Sequence, residues 1–156
     1  MIRRAACHIA LLCAWFACGH ALADEPRGHL VEVGGTSAGA AVMSAIMMTG
    51  EADLQSVPPG TTKTADGLGL WPGVIVDQHF LKRQRFNRLF SIVPDHPGCM
   101  GVGIDEETAV IVSPDEWQII GASSVMIPEP GGKSGERVVT VHSLADGMEW
   151  KPALKK

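Results

Sequence analysis

Gly35-Thr36-Ser37-Ala38-Gly39 sets a serine between two glycines, each two residues away. The apolar segment Leu30-Val31-Glu32-Val33 leads into it, and small residues follow from Ala38. A serine on a sharp turn between a strand and a helix stands above the sheet edge, and flanking glycines let neighbouring backbone come close. Such a serine attacks carbonyl carbon. The helix N-terminus and the backbone N–H of Ala38 would then receive the charge that develops on oxygen. The same five residues also read as a glycine-rich turn with a capping serine, and the pentapeptide alone does not separate the two.

A serine nucleophile needs a base, and the base needs an orienting group. His79 is the best candidate base. Asp77-Gln78-His79 is an abruptly polar triplet at the C-terminal end of Val74-Ile75-Val76, where α/β sheets place functional residues. His29, His96 and His142 read as surface or capping residues. Glu51 and Asp53 lie between Ser37 and His79 in a polar loop, and either can supply the third member; spacing does not choose between them. No pair of His, Cys or carboxylates has metal-ligand spacing, and nucleotide-binding glycine patterns are missing, so neither metal nor cofactor is expected.

These residues must be held by one domain of ordinary size, since the chain has 156 residues. With 46% hydrophobic and 19% charged residues, the composition is globular. A net charge of −4 argues against a general nucleic-acid-binding surface. Residues 1–23 read as a secretory signal peptide: Arg3 and Arg4 open it, an apolar run follows from Ile9 to Cys18, and Ala21-Leu22-Ala23 closes it. The apolar run falls short of the ~20 residues that span a bilayer, so no stable membrane anchor is expected. Cleavage before Asp24 would remove two arginines and no acids, leaving a net charge of −6 and Cys99 as the one remaining cysteine. Export without a disulfide fits a periplasmic or secreted location. Residues 24–156 form the domain.

Along that domain the pattern predicts a strand over Leu30–Val33, a helix over Ala38–Met48 closed by Gly50, and a loop over Glu51–Gly67. It predicts a buried strand at Val74–Val76 and an amphipathic helix over Phe80–Val93. Strands follow at Val102–Ile104 and Ala109–Val112 around an acidic turn. Trp117–Ile120, Val125–Ile127 and Val138–Val141 complete a terminal meander. The alternation of strand and helix is the α/β rhythm.

Taken together, Gly35–Ala40, Gly67-Leu68-Gly69-Leu70, Val76–Phe80 with Arg83, Arg85 and Arg88, and Gly103-Ile104-Asp105-Glu106 with Thr108-Ala109 resemble the cyanophycinases. These belong to a serine peptidase family that also contains aspartyl dipeptidases. The resemblance runs from about Val31 to Val112 and implies a flavodoxin-like, three-layer α/β/α fold with a mostly parallel sheet. It implies Ser37 as nucleophile, His79 as base, and an acid between them, Glu51 or Asp53. It also implies a polymer substrate, cyanophycin, which is poly-aspartate with arginine on its side-chain carboxyls and is released as β-Asp-Arg dipeptides. Asp77 and Gln78 are then substrate-binding candidates. Arg83, Arg85 and Arg88 are candidates for holding carboxylates, and Asp77 with the run Asp105-Glu106-Glu107 for receiving guanidinium. The family domain extends further on the N-terminal side, so the expected sheet is incomplete and the expected turnover low. A catalytically inactive remnant or binding module, and an esterase of the α/β-hydrolase type, are the other readings. Pairing with a second copy of the chain is left open.

Overall fold

The structure is a computed structural model that describes residues 9–12, 32–50, 58–133 and 136–152. The strands are β1 (Ile9–Leu12), β2 (Val33–Gly34), β3 (Ile46–Met48), β4 (Thr64–Asp66), β5 (Val74–Gln78), β6 (Met100–Ile104), β7 (Thr108–Val112), β8 (Trp117–Gly121), β9 (Ser124–Gly131), β10 (Val138–Ala145) and β11 (Glu149–Trp150). The helices are α1 (Ala38–Ala41) and α2 (Phe86–Ile92), the latter continuing into a 3-10 turn at Val93–Asp95. One sheet has the order β11-β8-β7-β1-β2 and the other β10-β9-β6-β5, while β3 and β4 form a separate ribbon.

The mixed α/β character is present, but the pairing among the described residues is mostly antiparallel. Only β1–β2 and β5–β6 run parallel. The reason lies in the connections. Parallel neighbours need a crossover segment, and α2 supplies one between β5 and β6. The tight connections β7–β8 and β9–β10 leave only antiparallel hairpins. The mostly parallel sheet expected from the sequence is therefore not what these residues form. Ile9–Leu12, inside the segment read as a signal peptide, pairs with β7 on one side and β2 on the other.

Two predicted helices are shorter than their patterns. α1 stops at Ala41 because the segment Gly67–Trp71 takes the carbonyls that a longer helix would use. Leu68 N–H bonds to Val42, Trp71 to Met43, Gly69 to Ser44 and Gly67 to Ala45. Ile46–Met48 is thereby released to pair with Thr64–Asp66 inside the predicted loop. Over residues 80–85 the chain makes turns rather than helix, with Gln84 at φ 51°.

β5 is buried on both faces. Val74 and Val76 face the core between the sheets with Val102, Ile104, Val110, Trp117 and Ile119. Ile75 faces the opposite way, toward Phe80, Leu89, Ile92 and Val93 beneath α2. This is the period-two alternation of a strand covered on both sides. Gly103 on β6 makes room for the Phe80 ring: a Cβ there would sit 2.5 Å from ring carbons. Gly103→Ala should therefore cost about 1–3 kcal/mol through overpacking, read as a lower urea midpoint at unchanged slope. An unchanged midpoint would mean that the ring moves freely.

Candidate active site

Ser37 stands at the entry to α1 with φ 52° and ψ −121°, a backbone conformation that a residue bearing a side chain rarely adopts. Such strain costs on the order of 1–3 kcal/mol and persists only where surrounding structure enforces it. Its hydroxyl makes no cap bond to the helix, which sets aside the reading of Ser37 as a capping residue. Instead, Ser37 Oγ lies 3.0 Å from His79 Nε2. The hydrogen bonds of the turn begin with Gly39 N–H to Thr36 C=O, one residue beyond the Ala38 N–H. The two glycines differ in role. A Cβ on Gly35 would fall inside contact distance of the Gly39 carbonyl oxygen, whereas around Gly39 there is open space.

His79 follows the last residue of β5, also at φ 52°. Its Nδ1 lies 3.0 Å from Glu106 Oε1. An Nδ1–H donated to Glu106 leaves the Nε2 lone pair facing the serine hydroxyl. The carboxylate that meets the imidazole is thus Glu106, which the linear pattern places in the acidic run suited to substrate guanidinium. Glu51 and Asp53 lie outside the described residues. The placement of Glu106 follows from register. β5 and β6 run parallel with Gln78 opposite Ile104, so the residues just past each strand emerge side by side. In the sequence, the signal was a polar Asp-Glu pair directly after a β-branched and glycine strand, repeating the pattern that singled out His79.

The basic cluster divides in two. Asp77 is fully buried. Its carboxylate accepts Nε–H of Arg88 at 2.6 Å, Nη2–H of Arg88, and the Gln78 N–H at 2.8 Å, with Arg85 Nη1 3.5 Å away. Asp77 is therefore not open to a substrate guanidinium, and Arg88, also buried, is not open to a substrate carboxylate; each neutralises the other. Arg85 is half-buried and donates to the Gln78 carbonyl at 2.9 Å, which steadies the residue preceding His79. Burial, followed by the neighbouring Arg88 charge, pushes the Arg85 guanidinium down, against the pull of Asp77. Arg83 and Lys82 are exposed. Gln78 is half-buried, and its Oε1 is buried with no hydrogen-bond partner. Asp105 likewise is not open to guanidinium. Burial acts to raise its carboxyl, but hydrogen bonds from Ser123 and from the N–H groups of Lys82, Glu106 and Leu81 outweigh this and hold it below the usual carboxylate range. Among the described residues no group of His, Cys, Asp and Glu has the arrangement of a metal site.

A serine on a strained turn, a histidine at a strand end and a carboxylate on its far nitrogen make the arrangement of a serine hydrolase. Residues 19–120 match the family model "Peptidase family S51", and the chain belongs to that family. It is similar to the cyanophycinase of Trichormus variabilis, 46% identical over 105 residues, which cover 67% of this chain and 35% of that protein. It is also similar to the cyanophycinase of Geminocystis herdmanii, 46% identical over 98 residues, covering 62% of this chain and 36% of that one. The chain thus spans about a third of the length of the curated relatives it matches. Among solved structures, a peptidase from an acI-B1 Actinobacterium aligns with a TM-score of 0.54 at 26% identity, over 77% of this chain and 45% of that one.

Two pairs of substitutions test this assignment of roles. Arg88→Ala leaves Asp77 charged and buried without its partner, and should lower stability by about 3–5 kcal/mol; Arg83→Ala should leave the melting curve in place. Equal effects would refute the division of the cluster. Gly35→Ala should prevent the turn from closing and strongly lower the melting temperature. Gly39→Ala, in the helix with open space around it, should be neutral or raise stability by up to about 1 kcal/mol. Differential scanning fluorimetry reads both.

Proposed function

We propose that the chain is a serine exopeptidase of the cyanophycinase type, acting on poly-aspartate that carries arginine side groups and releasing β-Asp-Arg dipeptides. The observation that carries this reading is the 3.0 Å approach of Ser37 Oγ to His79 Nε2, with Glu106 3.0 Å from the other ring nitrogen. His79 takes the hydroxyl proton as Ser37 attacks the scissile carbonyl carbon, and Glu106 stabilises the imidazolium. The Ala38 N–H serves as one donor to the oxyanion. His79 then returns the proton to the leaving amine, and water, activated by the same histidine, hydrolyses the acyl-enzyme. Glu106, rather than Glu51 or Asp53, fills the third position. With Asp77 and Arg88 occupied by each other, substrate recognition falls to Gln78, Arg83 and the accessible part of Arg85. The similarity to cyanophycinases supports the substrate class. The flavodoxin-like three-layer fold is proposed for the complete domain of the longer relatives.

Export is proposed as well, on the positive start and apolar run of residues 1–23. Cleavage before Asp24 would remove β1, so the leader and the strand are alternative fates of one segment. The mass of the N-terminal peptide of the exported protein distinguishes them.

Incubation with cyanophycin, followed by chromatography of the soluble products, tests the activity. Release of β-Asp-Arg should vanish in Ser37→Ala and fall at least about 10²-fold in kcat for Glu106→Gln, which leaves the imidazole without its counter-charge. Turnover that survives Ser37→Ala rejects the mechanism. Hydrolysis of short-chain esters with none of cyanophycin rejects the substrate and favours an esterase.

A further inference from the structure

Three segments meet at one carboxylate next to the triad. Asp105 is almost fully buried, with 7% exposure. Its Oδ1 accepts the backbone N–H of Leu81 at 3.1 Å and of Lys82 at 2.9 Å, in the turn that begins directly after His79. Its Oδ2 accepts the Ser123 hydroxyl at 2.7 Å, in the turn between β8 and β9. Ser123 N–H in turn donates to Thr108 Oγ1 at 3.0 Å, and that hydroxyl donates to the Glu106 carbonyl at 3.1 Å. Phe80 N–H bonds to the Ile104 carbonyl, and Ala122 N–H to that of Glu107. Asp105 thus grips the turn of the base, adjoins the acid in sequence, and closes a loop of hydrogen bonds around the acid's backbone.

This arrangement opposes a specific strain. His79 and Glu107 both have positive φ, 52° and 55°, flanking the site on either segment. Neither residue is glycine, so each would relax if released. Arg85 steadies the chain before His79 through the Gln78 carbonyl, and Asp105 steadies the chain after it. We propose that Asp105 is a positioning residue that sets the separation of His79 from Glu106, an inference that rests on reading Ser37, His79 and Glu106 as the triad. Asp105 reaches neither the serine nor the substrate; it acts through the two turns it joins.

The test has one arm that needs no turnover. The imidazole NMR spectrum of the full chain should show a downfield His79 Nδ1–H that Glu106→Ala removes and that Glu106→Gln, whose carbonyl can still accept, moves upfield. Asp105→Ala should also remove it, while Asp105→Asn, whose carbonyl can still accept from Leu81 and Lys82, should retain it. In parallel, labelling of Ser37 by a fluorophosphonate should slow by about 10- to 100-fold in Asp105→Ala. Asp105→Asn should recover most of the rate. With cyanophycin the loss should fall on kcat, with KM changed less than about twofold, as expected of a misplaced base rather than a damaged binding surface. Ser123→Ala, which deletes one bond only, should shift the same signals in the same direction to a smaller extent, and covers the case in which Asp105→Ala does not fold. An Nδ1–H signal and labelling rate unchanged in Asp105→Ala would overturn the inference, as would a His79 signal in the unmodified chain insensitive to Glu106→Gln. Normal labelling of Ser37 with no hydrolysis of cyanophycin would reject the proposed substrate and leave the NMR comparison to decide the role of Asp105.

Discussion

Parallel pairing of β5 with β6, from Val74 opposite Met100 to Gln78 opposite Ile104, delivers two chain segments to the same edge of a sheet at the same height. The residues beyond each end are polar on both segments, His79 on one and Asp105-Glu106 on the other. The hydrophobic faces of both strands are fixed by burial, so neither can slip by one residue without turning its core side chains outward. Register is thereby converted into chemistry. The same packing that buries Val76 and Val102 holds an imidazole against a carboxylate.

Around this pair, charge is used for two purposes. Asp77 and Arg88 form a closed unit under the site, fully desolvated and mutually neutralised. Such a pair adds little net stability over apolar packing but is costly to break, so it holds the segment before His79 in one arrangement. Glu106 is more open to solvent, with 39% side-chain exposure. Its Oε1 lies 3.0 Å from His79 Nδ1, whereas the Asp77 carboxylate is taken up by Arg88. Of the four acids that a linear reading gives to substrate guanidinium, Asp77 is taken up by Arg88 beneath the site and Glu106 meets the imidazole.

How much of this the sequence revealed depends on the range of the interactions. Ser37 and His79 were legible because their signals are local, a serine among glycines between strand and helix and a polar triplet ending an apolar strand. Glu106 was not singled out, since its claim rests on register between strands that are separated by the whole of α2. The extent of the first helix was misjudged for a similar reason. Nothing within Ala38–Met48 reveals that carbonyls from Val42 to Ala45 are taken by N–H groups from Gly67 to Trp71. The burial of Asp77 and Arg88 was hidden because an aspartate and an arginine eleven positions apart, each solvated by default, meet only once α2 folds back on β5. The dominance of antiparallel pairing follows from loop lengths, which the α/β rhythm of the early segments outweighed.

Ser37 and His79 leave strands of different sheets. In the uncleaved chain Ser37 leaves β2, which β1 joins to the sheet that contains β7 and β8, while His79 and Glu106 leave β5 and β6 of the other. The 3.0 Å contact between Oγ and Nε2 therefore spans a joint, like a clasp whose halves are sewn to separate pieces of cloth. Each half can be intact and the clasp still undone. A sliding of the layers that unseated α1 from β5 would part the hydroxyl from the ring while the ladders within each sheet stayed paired. The reactivity of Ser37 is thus a vernier on the seating of two β-layers, finer than circular dichroism, and its decay should run ahead of the loss of secondary structure.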